Sequence, residues 1–371
     1  MIDQRFIHAN GEYGELTQCF MDRGFKSIFL VCDSAIKFLK LNEYFNDLNS
    51  KIKIIRFSDF EPNPDYTSVE KGVRLFLDNA CDAIVTVGGG SAMDVAKCIK
   101  LFSSMNQSEN YLSQEILPNE VPLIAIPTTS GTGSESTRYA VIYYNGEKQS
   151  VADNSIIPSV VLMDFSVLKT LPMYQKKATM MDAFSHSIES FWSVNSTDES
   201  KEYSKTALKL ILKSMDSYLN NEDSGNEAML SASNYAGKAI NITQTTAGHA
   251  MCYKITSLYG TSHGHAAALC MVKLWRYMSN NLDKCSDSRG RDYLAKIFSE
   301  MAEAMGEKTT LDAIDRVEAI MDKLELKAPI LKDGDLDILI NSVNPVRLKN
   351  NPVKLEKEDI KYIYQKIFNI I

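Results

Sequence analysis

Residues 83–100 read AIVTVGGGSAMDVAKCIK, and the order of events in this stretch decides the fold. Residues 83–87 have the length and β-branched content of a strand buried on both faces. Gly88, Gly89, Gly90 and Ser91 follow, and then AMDVAKCIK, a helix-like run. A strand, a glycine turn and a helix make the opening of a crossover unit, which implies a parallel sheet. Glycine lets the backbone approach a ligand closely, and the unpaired amides of a helix start favour phosphate. A dinucleotide pyrophosphate fits such a loop, and so does a plain tight turn. The usual Rossmann fingerprint is excluded because Met93 stands where its third glycine would fall, and a P-loop is excluded because Gly-Lys-Ser/Thr is missing.

Outward from this unit the pattern repeats. SIFLVC (27–32), IKIIRF (52–57), LIAI (123–126) and VVLM (160–163) are short runs rich in Val, Ile, Leu and Phe, with amphipathic stretches such as 67–79 between them. Strands alternating with helices predict a parallel sheet covered on both faces. Residues 138–144 and 149–152, around Asn145-Gly146, predict an added hairpin. After LIAI comes PTTSGTGSE (127–135), whose hydroxyls and glycines can line a nucleotide. Both loops follow strand ends, where ligands bind in such sheets.

Beyond residue 165 the strand signal stops and helix signals take over. Ser196 with Glu199 three residues on predicts a capping box before ESKEYSKTALKLILKSMDSYL, and 227–240 and 311–324 carry helical periodicity. The expected architecture is an α/β dinucleotide-binding domain with a parallel sheet over 1–165, then an all-α metal- and substrate-binding domain over 166–371.

The helical half holds four of the five histidines, in DAFSHSIESFW (182–192) and HAMCYKITSLYGTSHGH (249–265). Asp182 and His186 are four apart in a helix-like run and share one face. With His249 and His263 they make a first shell suited to Fe(II), Zn or Ni, with room for a substrate oxygen. Each histidine taken alone also suits a packed core or a helix end.

Composition narrows the partners. A net charge of −7 gives no electrostatic footprint for nucleic acid. The beginning of the chain lacks a signal-peptide pattern and no apolar run is long enough for a membrane span, so a cytoplasmic protein is expected. Seven scattered cysteines without a CxxC pair predict reduced thiols.

GGGSAMDVAK, PTTSGTGSE, DAFSHSIE, HAM and SHG, with EPNPD at 61–65, resemble the iron-containing, or group III, alcohol dehydrogenase family in order and spacing. The resemblance spans nearly the whole chain. It implies the dehydroquinate synthase-like fold of that family, and Asp182, His186, His249 and His263 as ligands of Fe(II), with Zn as the other choice. It places Gly88, Gly90, Ser91 and Asp94 near a pyrophosphate, and Thr128, Thr129, Thr132 and Lys148 along the cofactor. Asp33 matches the family's acid at the adenosine ribose, where a carboxylate would repel a 2′-phosphate, so NAD(H) is expected in preference to NADP(H). Asp33 equally suits a helix N-cap. A homodimer is the expected assembly.

The chain departs from the family where many members carry a proton-relaying histidine four residues after His249, because that position is Tyr253. Tyr253, a water or the additional His265 could serve instead. Arg138 and Lys254 place cations beside the second loop and the metal helix, which an anionic substrate needs and a simple alcohol does not. Surface charge or structural ion pairing would also account for them. HAMCYKITSLYGTSHGHAAALC resembles the branch of the family that reduces phosphonoacetaldehyde to 2-hydroxyethylphosphonate, which makes Arg138, Lys254 and the more distant Arg347 phosphonate ligands. A primary alcohol, lactaldehyde or glycerol dehydrogenase, or a dehydroquinate synthase-like lyase using NAD, are the alternatives.

Overall fold

The computed structural model of the chain describes residues 4–370 and divides into two compact units, Met1–Leu171 and Pro172–Ile371. The strands of the first unit are β1 (Arg5–Ala9), β2 (Ser27–Cys32), β3 (Lys53–Phe57), β4 (Ala83–Gly88), β5 (Leu123–Pro127), β6 (Tyr139–Tyr144), β7 (Glu147–Ala152) and β8 (Val160–Asp164). Its helices are α1 (Gly14–Asp22), α2 (Lys40–Leu48), α3 (Tyr66–Asp78) and α4 (Gly90–Phe102).

Six strands form one sheet in the order β1-β8-β5-β4-β2-β3, with every pairing parallel. The interior strands β2, β4, β5 and β8 are buried at every residue, as unbroken apolar sequence requires of strands covered on both faces. One strand was not legible in the sequence: β1, RFIHA, is an edge strand in which only Ile7 is buried. β6 and β7 pair antiparallel outside the main sheet, turning through Asn145 and Gly146, both at positive φ as a tight hairpin requires.

The topology positions a ligand. From β2 the chain crosses outward to β3, whereas from β4 it runs to β5 on the opposite side. The direction of winding therefore reverses between the neighbours β2 and β4, and a crevice opens at their carboxyl ends.

The second unit is helical: α5 (Met173–Trp192), α6 (Asp198–Leu219), α7 (Asp223–Thr243), α8 (Ala247–Tyr259), α9 (His263–Asn280), α10 (Arg291–Ala304), α11 (Thr310–Lys323), α12 (Asp335–Ser342) and α13 (Lys357–Ile367). α5 is buried without a break from Met180 to Trp192, so its polar side chains there must find partners. The cap of α6 lies one residue later than the sequence suggests: Thr197 caps it and Ser200 reciprocates. Ser196 is committed elsewhere, since its carbonyl and hydroxyl accept from the Arg289 guanidinium at 3.0 and 2.9 Å. The seven cysteines form no disulfide among the described residues, and six are buried. No helix among the described residues is long and apolar enough to cross a membrane.

Candidate functional site

Three loops leave neighbouring strands at the crevice of the first unit. Asp33 follows β2, Gly88 to Ser91 follow β4 and Thr128 to Thr132 follow β5. The last two touch, because the Thr128 amide donates to the Gly88 carbonyl at 3.1 Å. A Cβ on Gly88 would stand 2.5 Å from the Ala92 methyl, and one on Gly90 3.1 Å from the Thr132 methyl, so glycine is what lets the loops close on α4. Ser91 accepts from the Asn63 amide at 3.3 Å, which ties the EPNPD segment to the same loop.

Asp33 does two things. One oxygen accepts from the Ala35 amide at 2.8 Å, the N-cap role foreseen as its alternative. The other lies 3.4 Å from the point that a Cβ of Gly88 would occupy, so the carboxylate also faces the glycine loop.

Asp94 turns toward the hairpin, where the Val141 backbone bonds it and Lys97 and Lys148 lie close. Burial pushes its carboxyl up to about 7 against the pull of those cations. Lys97, fully buried, is a residue that sequence reasoning left without a role. Its ammonium donates to the carbonyls of Ser134, Thr137 and Tyr139 at 2.6, 2.8 and 2.9 Å and to the hydroxyls of Ser134 and Thr137. It therefore staples α4 to the end of the second loop. Burial pulls the Lys97 ammonium down to about 8 while Asp94 and Glu135 hold it up.

In the second unit, α5, α8 and α9 bring Asp182, His249 and His263 together, with one ligand atom of each within 4.8 Å of the others. His249 Nε2 and His263 Nε2 lie 3.6 and 3.9 Å from the same oxygen, Asp182 Oδ1. Gly264 makes the approach of α9 to α5 achievable, since a Cβ there would lie 2.2 Å from the Ala178 carbonyl oxygen. His186, one turn along α5, lays its ring parallel to that of His249 with centroids 4.6 Å apart, beside the cluster of three.

The donor set fits a divalent metal. Asp182 Oδ1 and His249 Nε2 are both buried and have no hydrogen-bond partner, an arrangement that costs free energy unless a cation takes their lone pairs. Burial opposes ionisation of Asp182, yet the imidazoles of His186, His249 and His263 hold its carboxyl well below the usual range. Burial likewise opposes a charge on His249, but Glu189 and Asp182 push its imidazole up to about 10. A bound cation displaces that proton.

Glu189 is the residue that sequence reasoning missed. It lies seven residues after Asp182 and three after His186, so the helical spacing that selected those two also selects it. It accepts from His249 Nδ1 at 2.6 Å and from the Thr246 amide and hydroxyl at 2.6 and 2.7 Å.

Beside the cluster, the Tyr253 ring stacks on His263 with centroids 5.7 Å apart, and its hydroxyl accepts from Arg347 Nη1 at 3.1 Å. The Arg347 guanidinium lies 5.1 Å from the centre of the same ring, and no carboxylate pairs with it among the described residues. Burial raises the Tyr253 phenol while Arg347 lowers it.

The other expected site residues have their own surroundings. Lys254 follows Tyr253 in sequence, but one residue turns a helix by about 100°, so it leaves the face that carries His249 and Tyr253. His265 is about 200° from His263 around α9, and its Nδ1 meets the Tyr174 hydroxyl at 3.1 Å. Burial lowers the His265 imidazole, against the backbone of Lys327 and Leu326. Arg138, in the first unit, donates to the hydroxyl of its neighbour Tyr139 at 3.0 and 3.2 Å.

Comparison with known proteins gives a consistent picture. The family model "Iron-containing alcohol dehydrogenase" matches residues 3–165, and "Fe-containing alcohol dehydrogenase family, C-terminal" matches residues 176–368. An aldehyde-alcohol dehydrogenase of Streptococcus pneumoniae serotype 4 is 31% identical over 275 residues, 69% of this chain and 31% of that protein. The chain thus corresponds to about a third of the length of that relative. A phosphonoacetaldehyde reductase of Streptomyces viridochromogenes is 26% identical over 294 residues, 75% of this chain and 74% of that protein. Among solved structures, sulfoacetaldehyde reductase from Bifidobacterium kashiwanohense in complex with NAD+ superposes with a TM-score of 0.89 at 24% identity, covering 100% of this chain and 98% of that one, which establishes the shared fold.

Proposed function

The chain belongs to the iron-containing alcohol dehydrogenase family, and from that premise we propose that it is an NAD(H)-linked, metal-dependent reductase of phosphonoacetaldehyde, forming 2-hydroxyethylphosphonate. The observation that carries the substrate is Arg347, a guanidinium without a carboxylate partner among the described residues, which lies over the ring of Tyr253, itself stacked on His263. A fixed cation beside the metal ligands is what an aldehyde with a tetrahedral oxyanion tail requires, and a fork of N–H donors suits phosphonate oxygens. The likeness to a phosphonoacetaldehyde reductase supports the same choice.

Asp182, His186, His249 and His263 would hold Fe(II), or Zn(II), whose ligand preferences both match one carboxylate and three imidazoles. When bound, the metal supplies a Lewis acid for the carbonyl oxygen and NADH supplies the hydride. Arg347 anchors the tail and so fixes the distance of the aldehyde carbon from the ligand cluster. Tyr253 receives the guanidinium on its oxygen and orients it. At the crevice of the first unit, Gly88 and Gly90 admit the pyrophosphate, and Asp33 accepts from ribose hydroxyls and repels a 2′-phosphate.

The test is NADH oxidation by Fe(II)-loaded protein with phosphonoacetaldehyde, propanal and lactaldehyde in parallel. A kcat/KM at least about 100-fold higher for the phosphonate, ~3 kcal/mol of differential transition-state binding, is expected. Preference for the neutral aldehydes would overturn the substrate, and aldehyde-independent product formation without net NADH oxidation would favour a lyase. Gly88→Ala is expected to weaken NADH binding by about tenfold, because the clash with Ala92 costs about 1–3 kcal/mol of overpacking. Fluorescence titration with NADH reads this directly, and wild-type affinity would remove the glycine loop from the cofactor site.

A further inference from the structure

Glu189 has no position among the metal ligands, yet it is completely buried in the last turn of α5. An isolated carboxylate in such a place would be strongly destabilising, so its contacts define its purpose. One oxygen, Oε2, receives the Thr246 amide at 2.6 Å and the Thr246 hydroxyl at 2.7 Å. The Thr246 hydroxyl is itself an acceptor for Trp192 Nε1 at 2.9 Å, which directs its proton toward Glu189. Two donors are therefore fixed on Oε2, and Oε1 is left facing His249 Nδ1 at 2.6 Å.

We propose that Glu189 is a positioning residue for the metal centre: it holds the proton of His249 on Nδ1 and so keeps the Nε2 lone pair, on the Asp182 side of the ring, free to ligate a cation. The inference rests on the reading of Asp182, His249 and His263 as metal ligands. Geometry singles out a carboxylate for the task. An amide at this position would have to keep its oxygen on the two Thr246 donors and turn its NH2 toward His249 Nδ1, which forces Nδ1 to accept and leaves the ring proton on Nε2. That is the tautomer that cannot ligate. Gly248 belongs to the same device, because a Cβ there would stand 2.4 Å from Glu189 Oε1 and would displace the carboxylate from His249.

The experiment is Co(II) titration of metal-stripped wild type, Glu189→Gln and Asp182→Asn, read by visible absorption, with circular dichroism to verify folding. Glu189→Gln is expected to bind Co(II) about 10- to 100-fold more weakly and to show a changed ligand-field spectrum. Wild-type affinity and spectrum in a folded Glu189→Gln protein would overturn the proposal. Asp182→Asn separates the two levels: if it also leaves Co(II) binding intact, the metal reading itself fails, whereas loss there with no change in Glu189→Gln rejects only the role of Glu189. Thr246→Val, which keeps the shape and the backbone donor but deletes the hydroxyl, covers the case in which Glu189→Gln does not fold. It is expected to weaken Co(II) binding by several-fold with an altered spectrum, and an unchanged affinity and spectrum would overturn the proposal.

Discussion

His263→Ala is expected to abolish metal retention and to lower kcat/KM for aldehyde reduction by about 1,000-fold or more, while the protein stays folded. The chemical loss follows from the role of the cation, since Lewis-acid stabilisation of a developing alkoxide amounts to several kcal/mol and each 1.36 kcal/mol is a factor of ten. Retention of the fold follows from position. His263 is the first residue of α9, and its side chain is 39% exposed, against 2% for His249. Truncating it opens no sealed cavity, whereas truncating His249 would also strand the buried Glu189 carboxylate. Metal content by elemental analysis, a thermal melt and NADH turnover together decide the matter. Full activity in a metal-free His263→Ala preparation would remove the metal from the chemistry, and unfolding would show that the ligand is structural.

Local signals made most of the fold legible, and the failures have physical causes. β2, β4, β5 and β8 announce themselves because a strand covered on both faces has to be apolar throughout. β1 does not, because an edge strand with one buried residue lacks that constraint. The α6 cap was displaced by one residue because Ser196 and Thr197 offer the same chemistry locally, and only the tertiary contact with Arg289 distinguishes them. The same division applies to the second unit's polar cluster. Asp182 and His186 share a helix face, so their pairing could be read from spacing alone. Glu189 shares that face too, but a buried acid in an apolar helix identifies itself only through its partner, and His249 lies sixty residues away. The cations Lys254 and Arg138 are singled out by adjacency in sequence to motif residues; Lys254 stands about 100° around α8 from Tyr253, and Arg138 donates to the Tyr139 hydroxyl. Arg347, 94 residues from Tyr253, reaches the cluster only because the turn after α12 returns to α8.

The contact of Arg347 with Tyr253 has a direct consequence for substrate choice. Arg347→Gln is expected to lower kcat/KM for phosphonoacetaldehyde by about 100-fold while leaving propanal within about threefold of wild type. A charge-assisted hydrogen bond contributes about 1.5–3 kcal/mol, and a forked pair to a tetrahedral anion lies at the upper end of that range, which converts to about two powers of ten. Glutamine keeps length and polarity, so the stacking of Tyr253 on His263 is expected to persist and the metal content to be unchanged. Arg347→Lys keeps a point charge without the fork and is expected to fall between the two, whereas Lys254→Ala is expected to be nearly neutral. The comparison is made as kcat/KM on both aldehydes with each metal-loaded variant. An equal loss on phosphonate and propanal would mean that Arg347 acts through Tyr253 on the ligand cluster and not on the substrate's charge. A selective loss would assign the anion specificity to the Arg347 guanidinium, which lies over Tyr253 of α8 and has no carboxylate partner among the described residues.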